Sequence, residues 1–112
     1  MGKIASVTFY DASGTGYAFI AYLLDSSFAN DGAVYVFSQR TTDATGKGTH
    51  KLIYIGETGE LGDSIINHEK WPCIRQYGAN CICVHPDADA QGRLRKEADL
   101  IQNYNPPCNE RK

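Results

Sequence analysis

The chain has 112 residues, 42% hydrophobic and 21% charged, which suits one folded domain with a single core and excludes a disordered chain. Its formal net charge of -2 excludes the strongly basic surface of a protein that grips nucleic acid indiscriminately, but leaves room for a local basic patch. No apolar run approaches a membrane span and the first residues carry no sustained apolar stretch, so a cytoplasmic protein without membrane contact is expected. Met1-Gly2 with Ser6 is a weak myristoylation signal and carries no weight here.

Taken in chain order, Ile4 to Tyr10 alternates apolar with small or polar residues, Ser13-Gly14-Thr15-Gly16 supplies a turn, and Tyr17 to Leu24 resumes the pattern. This predicts an N-terminal β-hairpin, with Asp11 and Asp25 as turn acids. After a polar connector to Gly32, Ala33 to Phe37 is nearly continuous in apolar residues and reads as a strand buried on both faces. The polar segment from Arg40 to His50, rich in Thr and containing Gly46 and Gly48, is expected to be a long flexible loop. Leu52 to Ile55 is the next strand, running into a turn with Gly56 and Gly59, whose missing side chains permit close approach of other groups.

From Leu61 the period becomes helical through Ile65, Ile66 and the neighbourhood of His68. Pro72 ends that helix or begins another, and Trp71 to Tyr77 forms a second short helix closed by Gly78. Cys81 to His85 is a further strand. Ala88 to Tyr104 is the strongest helix, with Asp87 as its expected cap, Leu94, Ala98 and Ile101 on one face, and Asn105-Pro106-Pro107 as its stop. The element order is that of an α+β (mixed α/β) protein.

Four cysteines, at 73, 81, 83 and 108, are read as reduced thiols because no secretory signal accompanies them. Cys81, Cys83 and His85 share one strand face, and Cys73 is the nearest fourth ligand for a metal. Their spacing fits no zinc pattern, and buried thiols acting as small hydrophobes are the preferred reading.

Ala33-Val34-Tyr35, Tyr54-Ile55-Gly56, Glu97 and, behind a Pro-Pro turn, Asn109 follow one another in the order of the GIY-YIG nuclease superfamily, which residues 33 to 109 resemble. The second triplet is a full match and the first keeps its tyrosine. The resemblance implies a small antiparallel β-sheet flanked by helices, with residues 1 to 32 adding the hairpin and connector to one domain. It also implies metal-dependent hydrolysis of a DNA phosphodiester. Glu97 would hold one Mg²⁺ (or Mn²⁺), Tyr35 and Tyr54 would line the site and deprotonate or orient the attacking water, and Asn109 would fix the local architecture. His68 matches a histidine that some restriction-enzyme members carry one helical turn beyond their catalytic arginine.

That arginine's position, eight residues beyond the glycine of the second triplet, holds Ser64 here. A hydroxyl cannot replace a guanidinium on a phosphate oxygen. Arg93, four residues before Glu97, shares its helical face and is the candidate for compensation, although a solvated surface charge is its preferred reading. Arg93, Arg95 and Lys96 form the dense basic cluster and are the expected phosphate contacts, with Arg40, Lys47 and Lys51 as further contributors. Taken singly, Glu97, His68 and Asn109 read as a solvated acid, a helix-end side chain and a turn residue; their common order makes them a site. Two functions follow: a nuclease, or an inactive module of the same fold that binds nucleic acid or a protein partner.

Overall fold

A computed structural model describes residues 3 to 109, so the Met1-Gly2 signal lies outside the described residues. The elements run β1 (Lys3–Tyr10), β2 (Gly16–Leu23), β3 (Ala33–Thr42), β4 (Gly48–Thr58), α1 (Leu61–Ile66), α2 (Trp71–Gln76), β5 (Cys81–Pro86) and α3 (Ala90–Tyr104). The strands form one sheet in the order β1-β2-β5-β3-β4, with every neighbouring pair antiparallel. The N-terminal hairpin therefore extends the sheet beyond β5 as an addition to β3, β4 and β5. Among the described residues no helix is long and apolar enough to cross a membrane.

Strand alternation divides the core between the two faces of the sheet. Tyr35, Phe37, Ile53, Ile82 and Val84 pack under Leu61 and Ile65 of α1 and Ile74 of α2. Val34, Val36, Ile55, Cys81 and Cys83 pack with Phe9, Phe19 and Ala21 under Leu100 of α3. The central strand β3 is buried from Ala33 to Ser38, as its continuous apolar run requires.

Three local expectations change. The segment from Arg40 to His50 is a paired hairpin rather than a long loop, with Arg40 opposite His50 and Thr42 opposite Gly48. Backbone pairing needs no apolar side chain, the threonines favour extended backbone, and Asp43 closes the short turn by accepting from Thr45 N, Thr45 Oγ1 and Lys47 N at 2.6–3.0 Å. Gly56 lies inside β4, which continues to Thr58, and not in a turn. The cap of α3 is Asp89, whose carboxylate accepts from Gly92 N at 3.1 Å, while Asp87 takes the Asp89 N–H and the Lys96 ammonium.

The cysteine reading also changes. Cys73 on α2 and Cys108 are joined in a disulfide, and Cys81 and Cys83 are free and buried. After α3 ends at Asn105 in the left-handed conformation (φ 44°), the chain crosses back to β4, where Cys108 N–H donates to Ile53 O at 3.0 Å. That bond carries Cys108 onto the face covered by α2. The compartment argument addresses where a thiol lives, not which thiols the fold brings together. Closing a 35-residue separation restricts the unfolded chain by an amount worth up to about 4 kcal/mol. Cys108→Ser is accordingly expected to lower the urea midpoint by a corresponding margin, and reductant to do the same to the parent protein. Midpoints unchanged by either treatment would refute the bridge.

Candidate active site

Cross-strand register places Tyr35 directly opposite Gly56 and Phe37 opposite Tyr54. The register then slips, because Ser38 pairs with Leu52 and Ile53 is left as an extra residue. This bulge reverses the parity of β4: Leu52 faces the α3 side, whereas Tyr54 faces the Tyr35 side. Both tyrosines of the two triplets thus reach one place. The Tyr35 ring lies across Gly56, where a Cβ would stand 2.5 Å from Tyr35 Cζ and its hydroxyl oxygen and 2.9 Å from Tyr54 Cε2. Here the glycine is required by close approach and not by a turn.

His68 follows α1 in the connection to α2 and closes the aromatic group, its ring 4.8 Å from that of Tyr54 and 5.7 Å from that of Tyr35. Its Nδ1 accepts from Lys70 N–H at 3.1 Å, which leaves Nε2–H to donate to the Tyr35 hydroxyl oxygen at 2.8 Å. Burial lowers the proton affinity of His68, Lys70 acts in the same sense and Glu69 opposes it, so the imidazole is neutral. Burial, together with Tyr54, Glu97 and Glu57, raises that of Tyr35 well above the usual phenol range. Tyr35 therefore keeps its proton.

Glu97 belongs to α3, on the other face of the sheet, yet its charge is felt at Tyr35. Its own proton affinity is raised to about 7, first by burial and then by the neighbouring Glu57 carboxylate, with the Glu57 backbone N–H opposing the rise. Asn109 acts on the backbone. Its Oδ1 accepts from Ile55 N at 2.9 Å and its Nδ2 donates to Ile55 O at 2.8 Å, satisfying both outward groups of an edge-strand residue. Tyr35, Tyr54 and His68 therefore form one aromatic group on one face of the sheet, while Asn109 meets Ile55 at the outer edge of β4 and Glu97 adjoins Glu57 from the α3 side.

The predicted phosphate contacts do not gather in the same way. Arg93 is buried, contrary to its reading as a solvated charge; Nε bonds Glu57 Oε1 at 3.1 Å and Nη1 donates to Asp87 O at 3.0 Å. A Cβ at Gly32 would meet Nη1 at 2.5 Å, so two glycines, Gly32 and Gly59, border the guanidinium. Lys96 is engaged by Asp87 Oδ2 at 2.8 Å and His85 Nε2 at 3.0 Å. Arg95 alone of the three is exposed. Ser64 on α1 spends its hydroxyl on Thr58, Oγ to Oγ1 at 2.5 Å. Arg93 thus brings a guanidinium to the C-terminal end of β4 from the helix opposite the one that carries Ser64.

Glu57 was not singled out by sequence. The signal was its place one residue after Gly56, which matters only once β4 is known to continue to Thr58. With Glu97 it makes a pair of hard carboxylate donors beside phenolic oxygens, and Arg93 pairs directly only with Glu57. That excess of oxygen donors, half-buried and short of positive charge, suits a divalent hard cation such as Mg²⁺. A cavity of about 660 Å³, lined by Tyr22 and Leu23 of β2 and by Asp25, Ser26, Ser27, Phe28 and Ala29 of the connector before β3, contains none of these residues. No protein-family model, no characterised protein and no solved structure matches the chain.

Two consequences are measurable. Gly56→Ala is expected to cost about 1–3 kcal/mol, because the new methyl meets a ring held by His68. A double-mutant cycle with Tyr35→Ala should recover most of that loss, and strict additivity would disprove the contact. Glu97 binds its proton more tightly in the fold than at its ordinary value of 4.5, so stability falls as pH rises through the window from there to about 7. Glu97→Gln should therefore raise stability at pH 8 by about 1–2 kcal/mol, after allowance for solvent screening, and change little at pH 4. Equal urea midpoints at pH 8 would contradict the burial assigned to this carboxylate.

Proposed function

We propose that the chain is a GIY-YIG-type nuclease that hydrolyses a DNA phosphodiester with a divalent cation held at Glu97. The observation that carries this reading is that Tyr35, Tyr54, His68, Glu97 and Asn109, from β3, β4, the α1–α2 connection, α3 and the tail, all adjoin one stretch of β4. The antiparallel sheet with helices on both faces is the architecture the resemblance implies. Mg²⁺ or Mn²⁺, when bound, supplies the positive charge that neutralises the phosphate and favours ionised water.

The side chains then divide the remaining work. Glu97, aided by the nearby Glu57 carboxylate, holds the cation and gives up its proton near neutral pH. Tyr35 and Tyr54 orient the attacking water, with the neutral His68 fixing the Tyr35 hydroxyl through Nε2–H. Asn109 keeps the strand between the tyrosine and the glycine straight by occupying both Ile55 backbone groups. Arg93 supplies the guanidinium nearest Glu57 and is the compensating charge for Ser64, while Arg95 offers an exposed phosphate contact on the same helix.

One observation favours a second reading, an inactive module that binds nucleic acid or a protein partner. Arg93 is engaged by Glu57 and the Asp87 carbonyl, and Ser64 by Thr58, so the phosphate-binding charge of an active nuclease is partly spent within the protein.

Nicking of supercoiled plasmid separates the two. The nuclease reading expects slow, Mg²⁺- or Mn²⁺-dependent nicking that disappears in Glu97→Ala and rises by roughly two to three powers of ten in Ser64→Arg. Absence of nicking in the parent protein and in Ser64→Arg alike would sink that reading and leave the binding module.

A further inference from the structure

The buried cysteines that the catalytic reading does not use lie beside a histidine from another strand. Cys81 Sγ and Cys83 Sγ on β5 are 4.0 Å apart, and His50 Nδ1 on β4 is 3.9 Å from Cys83 Sγ. One ligand atom from each of the three residues falls within 4.8 Å of the other two. Ser38, fully buried on the intervening strand β3, puts its hydroxyl 2.9 Å from His50 Nδ1 and 3.9 Å from Cys83 Sγ. The residue that sequence places next to the cysteines, His85, is unavailable. Its Nδ1–H donates to Ala18 O at 2.7 Å and its Nε2 accepts from Lys96 at 3.0 Å.

From these distances we infer that Cys81, Cys83 and His50 form a binding site for one Zn²⁺ ion, with the Ser38 hydroxyl or a water as fourth ligand, clamping β4 to β5 across β3. Two Zn–S bonds of about 2.3 Å at a tetrahedral angle span about 3.8 Å, and a Zn–S and a Zn–N bond span about 3.6 Å. The Cys81–Cys83 and Cys83–His50 separations need to close by a few tenths of an ångström, and the third, Cys81 to His50, which lies within 4.8 Å, by up to about 1.2 Å. Thiolate and imidazole donors select zinc over Mg²⁺ or Ca²⁺, which take oxygen. Charge selects it over a monovalent soft ion: two thiolates and a divalent cation sum to zero, the balance a site with two fully buried cysteines requires. His50 is only partly buried and gives the cluster a side open toward solvent. This site shares no residue with the proposed hydrolytic centre.

The test is spectroscopic titration of the full chain, stripped with chelator and kept anaerobic, with Co²⁺ followed by Zn²⁺. One equivalent of Co²⁺ should give the intense visible absorption of a tetrahedral thiolate site, bleached on adding Zn²⁺. Cys83→Ser and His50→Ala should each weaken Zn²⁺ affinity on the order of tenfold or more, read by competition with a chromophoric chelator. Cys73→Ser and Glu97→Ala should leave it unchanged. Weak octahedral Co²⁺ absorption, parent-like affinity in Cys83→Ser, or a native Cys81–Cys83 disulfide found by mass spectrometry would each overturn the site. His50→Ala alters a partly exposed side chain, so its result stands, checked by near-ultraviolet circular dichroism, if Cys83→Ser does not fold.

Discussion

Strand β4 is an edge strand, and the candidate site depends on how its outer side is satisfied. On its inner side β4 pairs with β3; on its outer side the peptide groups of Ile55 meet the side chain of Asn109. The amide of Asn109 carries a donor and an acceptor side by side in one plane, as a peptide group does, so it can imitate the peptide of a neighbouring strand. Aspartate would accept from Ile55 N–H but leave the carbonyl without a donor. The Cys108 N–H bond to Ile53 O extends the same pairing by one more contact, and the Cys73–Cys108 disulfide ties that tail to α2. Two residues that matter most, Tyr54 and Gly56, flank the pinned Ile55, so their positions follow from a tail far away in sequence.

The bulge at Ile53 determines which way those residues face. A regular strand would send Leu52 and Tyr54 to one face, whereas the slip sends them to opposite faces and brings Tyr54 alongside Tyr35 and His68. Gly56 is then the place where the Tyr35 ring crosses β4. A side chain there would displace that ring and press on Tyr54.

The order of elements was legible because β3 is apolar from Ala33 to Phe37 and α1 keeps Leu61 and Ile65 at helical spacing; α3 was legible as a helix but not in its facing, since Leu94 and Ala98, expected on its apolar face, are exposed and Arg93 and Leu100 are buried instead. What was not legible has specific causes. The hairpin from Ser38 to His50 is held by backbone bonds and threonines, which carry no apolar signal. A bulge inserts one residue without changing composition, so alternation cannot reveal it. Arg93 reads as surface because arginines usually are, yet Gly32 and Gly59 leave room for its guanidinium and Glu57 and Asp87 hold it. The five predicted site residues were legible as a set through their order, whereas Glu57, their electrostatic partner, required the true end of β4.

Electrostatic balance gives the cluster its chemical character. Arg93 pairs directly with one of the two neighbouring acids, Glu57, and leaves Glu97 half-buried beside it with raised proton affinity. A fold selected for stability alone would separate such acids or pair both; keeping one short of charge costs stability. At the other end of β4, His50 meets the two thiols, a donor set of opposite softness. Hard oxygen donors near Gly56 and soft sulfur donors near Cys83 do not compete for the same ion. One edge strand therefore borders both the proposed hydrolytic centre and the proposed zinc site, each drawing its remaining side chains from a different neighbour: α3 for the carboxylates, β5 for the thiols.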